Sequence, residues 1–395
     1  MRILYVTPLW SGFRDLIVEG NSESKGMPAF IKPLQGLIQA GHQVDFFIGI
    51  TESHLNLNIQ VEWLIKSDFY LHPLKLKGFE RGTNSSKILS QLIKVMKQKK
   101  YDFVYCHGSF GTFGNIAANM MRIPCGLRLY GTFFAERLEK QGKFKVMLKH
   151  PLESLAYRLN KEFLLITNDG TRGDYVRKMM NPKPNYNFYF WLNGVDKAVI
   201  HKQMEEKQFR LPDKVLFFPA RIARWKQQHK AIELLKRVHE HGNDDVYLHF
   251  AGHIKEEAYW EELQEKVRKL GLDKYVQYVG TLNQRQLNYY YRNSLAVLSF
   301  YRLSNLGNVL IEALTNGGVI LTLNDHSTDN VLKNGKNGFL VNNMDEGQQV
   351  IAELIQNEKL VHSLKSEASL TSKEVFLAWG ERIQKEITII ENAVN

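Results

Sequence analysis

The sequence predicts an α/β protein made of two doubly wound, parallel-sheet domains. Three observations point there. Short apolar runs recur along the whole chain, and most end in glycine or polar residues. Amphipathic stretches of helical period separate them, which is the order of βαβ units. At 395 residues, with 44 % hydrophobic and 24 % charged content, the chain is long enough for two cores and ordinary in make-up for a globular protein.

The first strand is expected at residues 2–7. A long polar loop follows, from Pro8 to about Lys25, with Gly12 and Gly20 as breakers. Residues 28–40 then predict a helix with Phe30, Leu34 and Leu37 on one face. Gly41-His42 ends it, and residues 44–48 are the second strand. The loop after the first strand therefore lies at the carboxyl edge of the sheet, where open α/β sheets bind ligands. Gly26 in that loop could accept an anion or serve as a hinge.

Residues 101–107 and 123–132 read as further strands. They end in His107-Gly108 and Tyr130-Gly131, polar or aromatic groups beside glycine at the same edge. Between Glu136 and Lys149, four lysines (Lys140, Lys143, Lys145, Lys149) alternate with Phe144, Val146, Met147 and Leu148. Such a stretch either rests on an anionic bilayer or is a helix with a solvated face and a packed seam. Residues 163–167 predict a strand, 169–179 a helix and 186–190 a strand. Polar sequence from Lys197 to about Lys214 reads as the connection into a second domain.

That domain opens with a strand at 215–220, followed by Arg221, Lys226 and a helix at 230–241. Arginine forks to two oxygens and lysine supplies a point charge, which is the chemistry of a diphosphate site; a pair of surface cations is the alternative. Strands at 246–251 and 276–279 alternate with helices at 256–270 and 283–293. Next come a strand at 295–298, the loop Ser304-Asn305-Leu306-Gly307, a helix at 308–315 and a strand at 319–322. Free N–H groups and the positive dipole end of that helix, at Asn308 and Val309, suit phosphate or sugar hydroxyls. Gly307 lets a ligand approach the backbone, and Glu312 lies one turn inside. Taken alone, a strand–glycine–helix unit is common in α/β proteins. A turn and strand at 330–341, a helix at 345–357 and an amphipathic helix at 378–387 close the chain.

The formal net charge is +11. Residues 1–200 hold 27 Lys and Arg against 16 Asp and Glu, whereas residues 201–395 hold 25 of each. The basic excess thus belongs to the first half, and it fits an anionic membrane surface or an acidic substrate. No nucleic-acid module pattern is visible. No apolar run reaches the roughly 18 residues of a membrane helix, and the N-terminus reads as a strand rather than a signal peptide. Cys106 and Cys125 sit in apolar strands, so buried free thiols and a reducing cytoplasm are expected. No metal-ligand cluster stands out.

Several of these elements, in this order, resemble the retaining glycosyltransferases of family 4, which have the GT-B fold of two Rossmann-like domains facing across a cleft. Arg221, five residues before Lys226, matches the family's diphosphate-binding pair. Glu312 matches the second Glu of its Glu-x7-Glu motif. Asn337-Gly338-Phe339-Leu340, Gly41-His42-Gln43-Val44 and Asn193-Gly194-Val195-Asp196 match further family elements. The sequence departs from the pattern at Ser304, where the first Glu of the motif is usual, at Tyr130, where a His precedes the glycine, and at Asn330, where an acidic residue is common.

The resemblance implies an acceptor-binding domain over 1–196, a nucleotide-sugar domain over 197–375, and a C-terminal helix over 376–395 packed back on the first domain. It implies transfer of a sugar from a nucleotide-sugar, UDP-linked, to a hydroxyl of a glycan, glycolipid or cell-envelope polymer, as in polysaccharide biosynthesis, without a metal or other cofactor. Arg221, Lys226 and Glu312 would be catalytic. Gly26, Ser304, Asn305, Leu306, Gly307, Asn308 and Val309 would join them in holding the donor, and His107, Tyr130 and Gly131 would border the acceptor. The expected place is the cytoplasm, peripheral on the inner face of the cell membrane. The alternatives are a GT-B protein that binds nucleotide-sugars with weak or no transfer, and a GT-B epimerase or phosphorylase.

Overall fold

The computed structural model describes residues 1–24, 26–74, 80–196 and 211–394, with only the backbone of 80–83. The chain forms two compact units. In order, the first carries β1 (Arg2–Pro8), α1 (Ser11–Ile17), α2 (Pro28–Gln39), β2 (Gln43–Ile50), β3 (Phe69–Pro73), α3 (Glu80–Gln98), β4 (Phe103–His107), α4 (Gly111–Met121), β5 (Cys125–Leu129), α5 (Phe134–Gln141), α6 (Lys143–Lys149), α7 (Pro151–Leu155), β6 (Phe163–Thr167), α8 (Gly173–Met180) and β7 (Asn187–Trp191). The second unit, Val195–Ala378, carries β8 (Val215–Pro219), α9 (Gln228–Glu240), β9 (Tyr247–Ala251), α10 (Glu257–Lys269), β10 (Val276–Tyr278), α11 (Gln284–Asn293), β11 (Ala296–Ser299), α12 (Asn308–Thr315), β12 (Ile320–Leu323), β13 (Phe339–Val341), α13 (Met344–Gln356) and α14 (Glu358–Val375). The last helix, α15 (Trp379–Asn392), returns to the first unit and packs on α2.

Among the described residues, the first unit's sheet runs β3-β2-β1-β4-β5-β6-β7 and the second's β10-β9-β8-β11-β12-β13. Every pairing is parallel. The order reverses between β1 and β4, and again between β8 and β11, so each sheet has one switch point. Successive strand residues face opposite layers. Leu4, Val6, Val104, Cys106, Leu127 and Leu129 pack one side of the first sheet, and Ile3, Tyr5, Phe103, Tyr105 and Leu165 pack the other. Leu216, Phe218, Leu248, Phe250, Leu298 and Leu321 centre the second core.

Three expectations are corrected. The loop expected from Pro8 contains α1, with Phe13, Leu16 and Ile17 buried. Burying such side chains contributes about 1.5–3 kcal/mol each, which outweighs the ~1 kcal/mol cost of Gly12 in a helix. The segment from Glu136 to Lys149 is two helices, α5 and α6. Gly142 separates them with φ 75° and ψ 159°, a conformation outside any helix. The helix expected from Asp169 begins only at Gly173, because the Asp169 carboxylate accepts from Thr171 N (3.1 Å) and Thr171 Oγ1 (2.6 Å) and holds a turn instead. Most of the connection expected between Lys197 and Lys214, and the end of the first loop at Lys25, lie outside the described residues.

The final helix is anchored by charge as well as by apolar contact. Glu386 of α15 is fully buried and accepts from Arg128 of β5, from Arg382 (3.0 Å) and from the Tyr105 hydroxyl (2.7 Å). Among the described residues, no helix is long and apolar enough to cross a membrane.

Candidate functional site

In the second unit, the loops leaving β8 and β11 meet at the switch point. Ile222 N donates to the His253 carbonyl (2.9 Å), and the buried Gln228 side chain donates to the Arg221 carbonyl (2.9 Å). These bonds fix the backbone while leaving the Arg221 side chain exposed. One 3-10 turn, Arg224–Lys226, follows. Arg302 N donates to the Trp225 carbonyl (3.0 Å) and ties the β8 loop to the β11 loop.

Lys226 folds inward at this tie. Its Nζ lies 3.3 Å from the centre of the Tyr301 ring and 4.0 Å from that of Trp225. Burial, and then the Arg221 charge, push its ammonium down to about 7. Ring faces compensate a desolvated cation only in part. An anion arriving here would restore the full charge.

Glu312, on α12, accepts from the Tyr291 hydroxyl at 3.1 Å. Burial pushes the Tyr301 phenol up, its bond with Ser299 opposes that, and the charges of Glu312 and Arg221 act in opposite directions. Tyr301 therefore sits within electrostatic reach of both, and its hydroxyl donates to the Pro219 carbonyl at 3.3 Å. Lys226 thus lies over the Tyr301 ring, and the charges of Arg221 and Glu312 both act on its phenol.

The loop before α12 is held from inside. Asn305 is fully buried. Its Oδ1 accepts from Tyr301 N (2.8 Å) and Ser299 Oγ (3.0 Å), its Nδ2 donates to Asp325 Oδ2 (2.9 Å), and its N–H lies 3.0 Å from both Asp325 Oδ2 and Ser327 Oγ. Leu306 is buried, and its N–H lies 3.2 Å from Ser304 Oγ and from Ser327 Oγ. Through these bonds Asn305 and Leu306, expected at the donor, set the shape of the loop. Gly307, extended at φ −125° and ψ −179°, starts α12 and has no atom within 4 Å of where a Cβ would stand. Glycine here keeps the mouth of the helix open and brings no side chain to cap the first turn at Asn308 and Val309.

The first unit gathers its candidates at the carboxyl edge of its own sheet. His107 is buried at the end of β4, stacked on Tyr5 (4.5 Å between ring centres), with Nδ1 2.9 Å from Tyr130 Oη. Burial and the Arg128 charge push it well down, so the imidazole is neutral. It supports Tyr130 from beneath and does not itself reach open space. Gly131 has φ 115°, and a Cβ there would overlap the Asp169 carboxylate. Thr132 N donates to Thr171 Oγ1 (2.8 Å) and locks the two strand ends together. Gly26 lies in the loop after α1, with its N–H 3.3 Å from Ser24 Oγ and its carbonyl accepting from that hydroxyl at 2.8 Å.

Asp169 is the group that sequence reasoning passed over. It is half-buried at the edge of β6, and burial pushes its carboxyl up to about 6 against its bonds with Thr171. Tyr291, Tyr301, Asp325 and Ser327 were also missed. Each acts through contacts distant in sequence, and no local pattern marks them. Among the described residues, no group of three or more His, Cys, Asp or Glu side chains is placed to hold a metal ion.

With this geometry in view, one comparison bears directly on the second unit. Residues 199–371 match the family of glycosyl transferases group 1. That match spans the whole six-stranded sheet, both loops at the switch point and α12. No curated protein matches the chain in sequence. Several solved structures are similar to the full chain in fold. HepE of Anabaena, solved with UDP and glucose, is 16 % identical with a TM-score of 0.67, over 98 % of this chain and 99 % of that one. Sucrose-phosphate synthase of Thermosynechococcus elongatus is 13 % identical with a TM-score of 0.75, over 98 % of each. The lipopolysaccharide outer core galactosyltransferase WaaB is 16 % identical with a TM-score of 0.64, over 98 % and 99 %. At such identities the likeness is one of fold, and the fold is GT-B.

Proposed function

We propose that this protein is a retaining glycosyltransferase of the family 4 type. In this reading it moves a sugar from a UDP-sugar to a hydroxyl of a glycan, glycolipid or cell-envelope polymer. The observation that carries the reading is the convergence of Arg221, Lys226 and Glu312 at the switch point of a domain matching glycosyl transferases group 1. The choice of UDP is supported by HepE, which was solved with UDP. The choice of a cell-envelope acceptor is supported by the likeness to WaaB, named as a lipopolysaccharide galactosyltransferase.

In the reaction, the bond between the anomeric carbon and the diphosphate oxygen breaks. The acceptor oxygen bonds to that carbon on the same face, and its proton passes to the departing phosphate. Arg221, Lys226 and the mouth of α12 at Gly307-Asn308-Val309 hold the charge that develops on the diphosphate. The reading assigns that task to these groups and not to a metal ion. Glu312, oriented by Tyr291, fixes the ribose. Ser304 frames the sugar from a loop whose shape Asn305 sets. On the acceptor side, Tyr130 and Gly131 form the rim, His107 supports Tyr130, and Asp169 accepts a hydrogen bond from an acceptor hydroxyl. Gly26 offers a further backbone contact to the donor. The protein works in the cytoplasm, on the inner face of the membrane.

A thermal-shift panel of nucleotide-sugars tests the donor, because a ligand bound to the folded state stabilises it by mass action. Stabilisation by a UDP-sugar, followed by transfer to an added glycan, is the expected result; no shift with any nucleotide-sugar contradicts the reading. Ser304, where the resemblance expects Glu, favours one second reading, a protein that binds nucleotide-sugars with little transfer. Donor binding without product across a broad acceptor panel would select it.

A further inference from the structure

Among the described residues, the helix α6 turns a mixed, exposed face to solvent. Val146 is buried and Met147 packs against the first unit's core, which fixes the inward side. One turn apart on the outward side stand Phe144, 75 % exposed, and Leu148, 69 % exposed. Positions four apart share a helix face. Lys145 and Lys149, both exposed, follow these two directly in sequence. Lys143 precedes Phe144, and Lys140 lies in the last turn of α5 on the other side of Gly142. Lys140 is paired with Glu136, and no carboxylate occurs from Lys140 to His150.

Single exposed apolar side chains are ordinary. Two large ones on successive turns, ringed by lysines, are a different arrangement. A protein partner would disfavour it, since lysine is depleted from protein–protein interfaces. Lysine stems instead lie along an apolar surface while their heads stay in water, which matches the boundary between lipid headgroups and acyl chains. The first half of the chain carries the whole net positive charge, so the long-range field there has the same sign as the patch.

We infer that α6 is a membrane-docking surface that inserts Phe144 and Leu148 among the acyl chains of an anionic bilayer, while Lys143, Lys145 and Lys149 pair with its headgroups. The inference deepens the membrane part of the proposed function by naming the face that makes the contact. It uses no transfer chemistry, so it stands or fails separately from the activity.

The test is co-sedimentation of the full chain with vesicles of phosphatidylserine and phosphatidylcholine, beside vesicles of phosphatidylcholine alone. Wild type is expected to bind the anionic vesicles and to leave them as salt rises. F144E/L148E should lose about tenfold or more in bound fraction, with an unchanged circular dichroism spectrum because both side chains are exposed. K143Q/K145Q/K149Q should lose the preference for anionic lipid. Wild type that binds neither vesicle, or a double variant that binds as wild type does, overturns the inference. So does a dimer in solution that F144E/L148E abolishes, since the face would then belong to a second copy.

Discussion

The Lys226 ammonium stands 3.3 Å from the centre of the Tyr301 ring, in a setting where burial and Arg221 push it down to about 7. The direction matters for binding. As pH rises through about 7 the lysine loses its charge, and with it the attraction for a diphosphate. UDP affinity should therefore fall between about pH 7 and pH 8.5, and binding in that window should take up a proton. Calorimetry in buffers of different ionisation heat measures the proton directly. K226M should bind UDP more weakly and without uptake. Without ligand the linkage runs the other way: the unfolded chain holds this proton more tightly, so Lys226 adds stability as pH rises above about 7.

Arg221 and Lys226 are assigned to the departing diphosphate. Each alanine substitution should lower the transfer rate by about 10²-fold or more. The double variant should lose less than the product of the two, since both act on one leaving group. Steady-state kinetics with a UDP-sugar check this; rates near wild type in both single variants would remove the phosphate assignment.

Asn305 holds its loop through Tyr301, Ser299 and Asp325 and is fully buried. Asn305→Ala leaves buried donors and acceptors unpaired, at about 1–3 kcal/mol each. The second unit's melting temperature should fall, and donor binding should weaken with it, as read by thermal shift with and without UDP. A variant that melts as wild type does but no longer binds donor would mean that Asn305 touches the ligand.

Asp169 has its carboxyl raised to about 6 by burial, with Thr171 and Thr132 around it and the Tyr157 phenol near enough to feel its charge. In the proposed reading the ionised carboxylate, present above about pH 6, is the stronger acceptor for an acceptor hydroxyl. Transfer should fall as pH drops through that value in wild type. In D169N the fall should vanish and the KM for acceptor should rise, with the KM for donor unchanged. A pH–rate profile of both proteins decides it.

Much of the fold is legible because each domain repeats a local pattern. The strand–loop–helix–strand passage from β11 to β12 was readable from apolar runs, Gly307 and the helical period alone, and α12 falls on the residues expected for it. Arg221 and Lys226 were visible through their spacing after a strand. What pattern could not reach was contact between distant segments. Tyr291 and Tyr301 look like plain aromatic residues until α11, β11 and α12 meet. The bonds that hold Asn305 come from Asp325 and Ser327, some twenty residues on, and no local pattern announces them. Arg128 and Glu386 lie 258 residues apart, and neither sits in any motif. Asp169 was hidden by a helix reading that its own carboxylate prevents.

That distant pair carries its own prediction. Removing Glu386 leaves Arg128 and Arg382 buried without their shared carboxylate, a change that costs about 3–5 kcal/mol. E386A should unfold the first unit at lower urea, followed by the fluorescence of Trp191 and Trp379, while the second unit's transition stays in place. Coincident loss of both transitions would mean that the two units do not unfold separately.

The central claim is that the loops after β8 and β11 hold a nucleotide diphosphate. Titrating UDP and UMP into the full chain, and into R221A/K226A, tests it most directly. The account predicts that wild type binds UDP well above UMP and that the variant binds the two alike. A wild type that takes up no UDP, or a variant that still prefers UDP over UMP as wild type does, would contradict it.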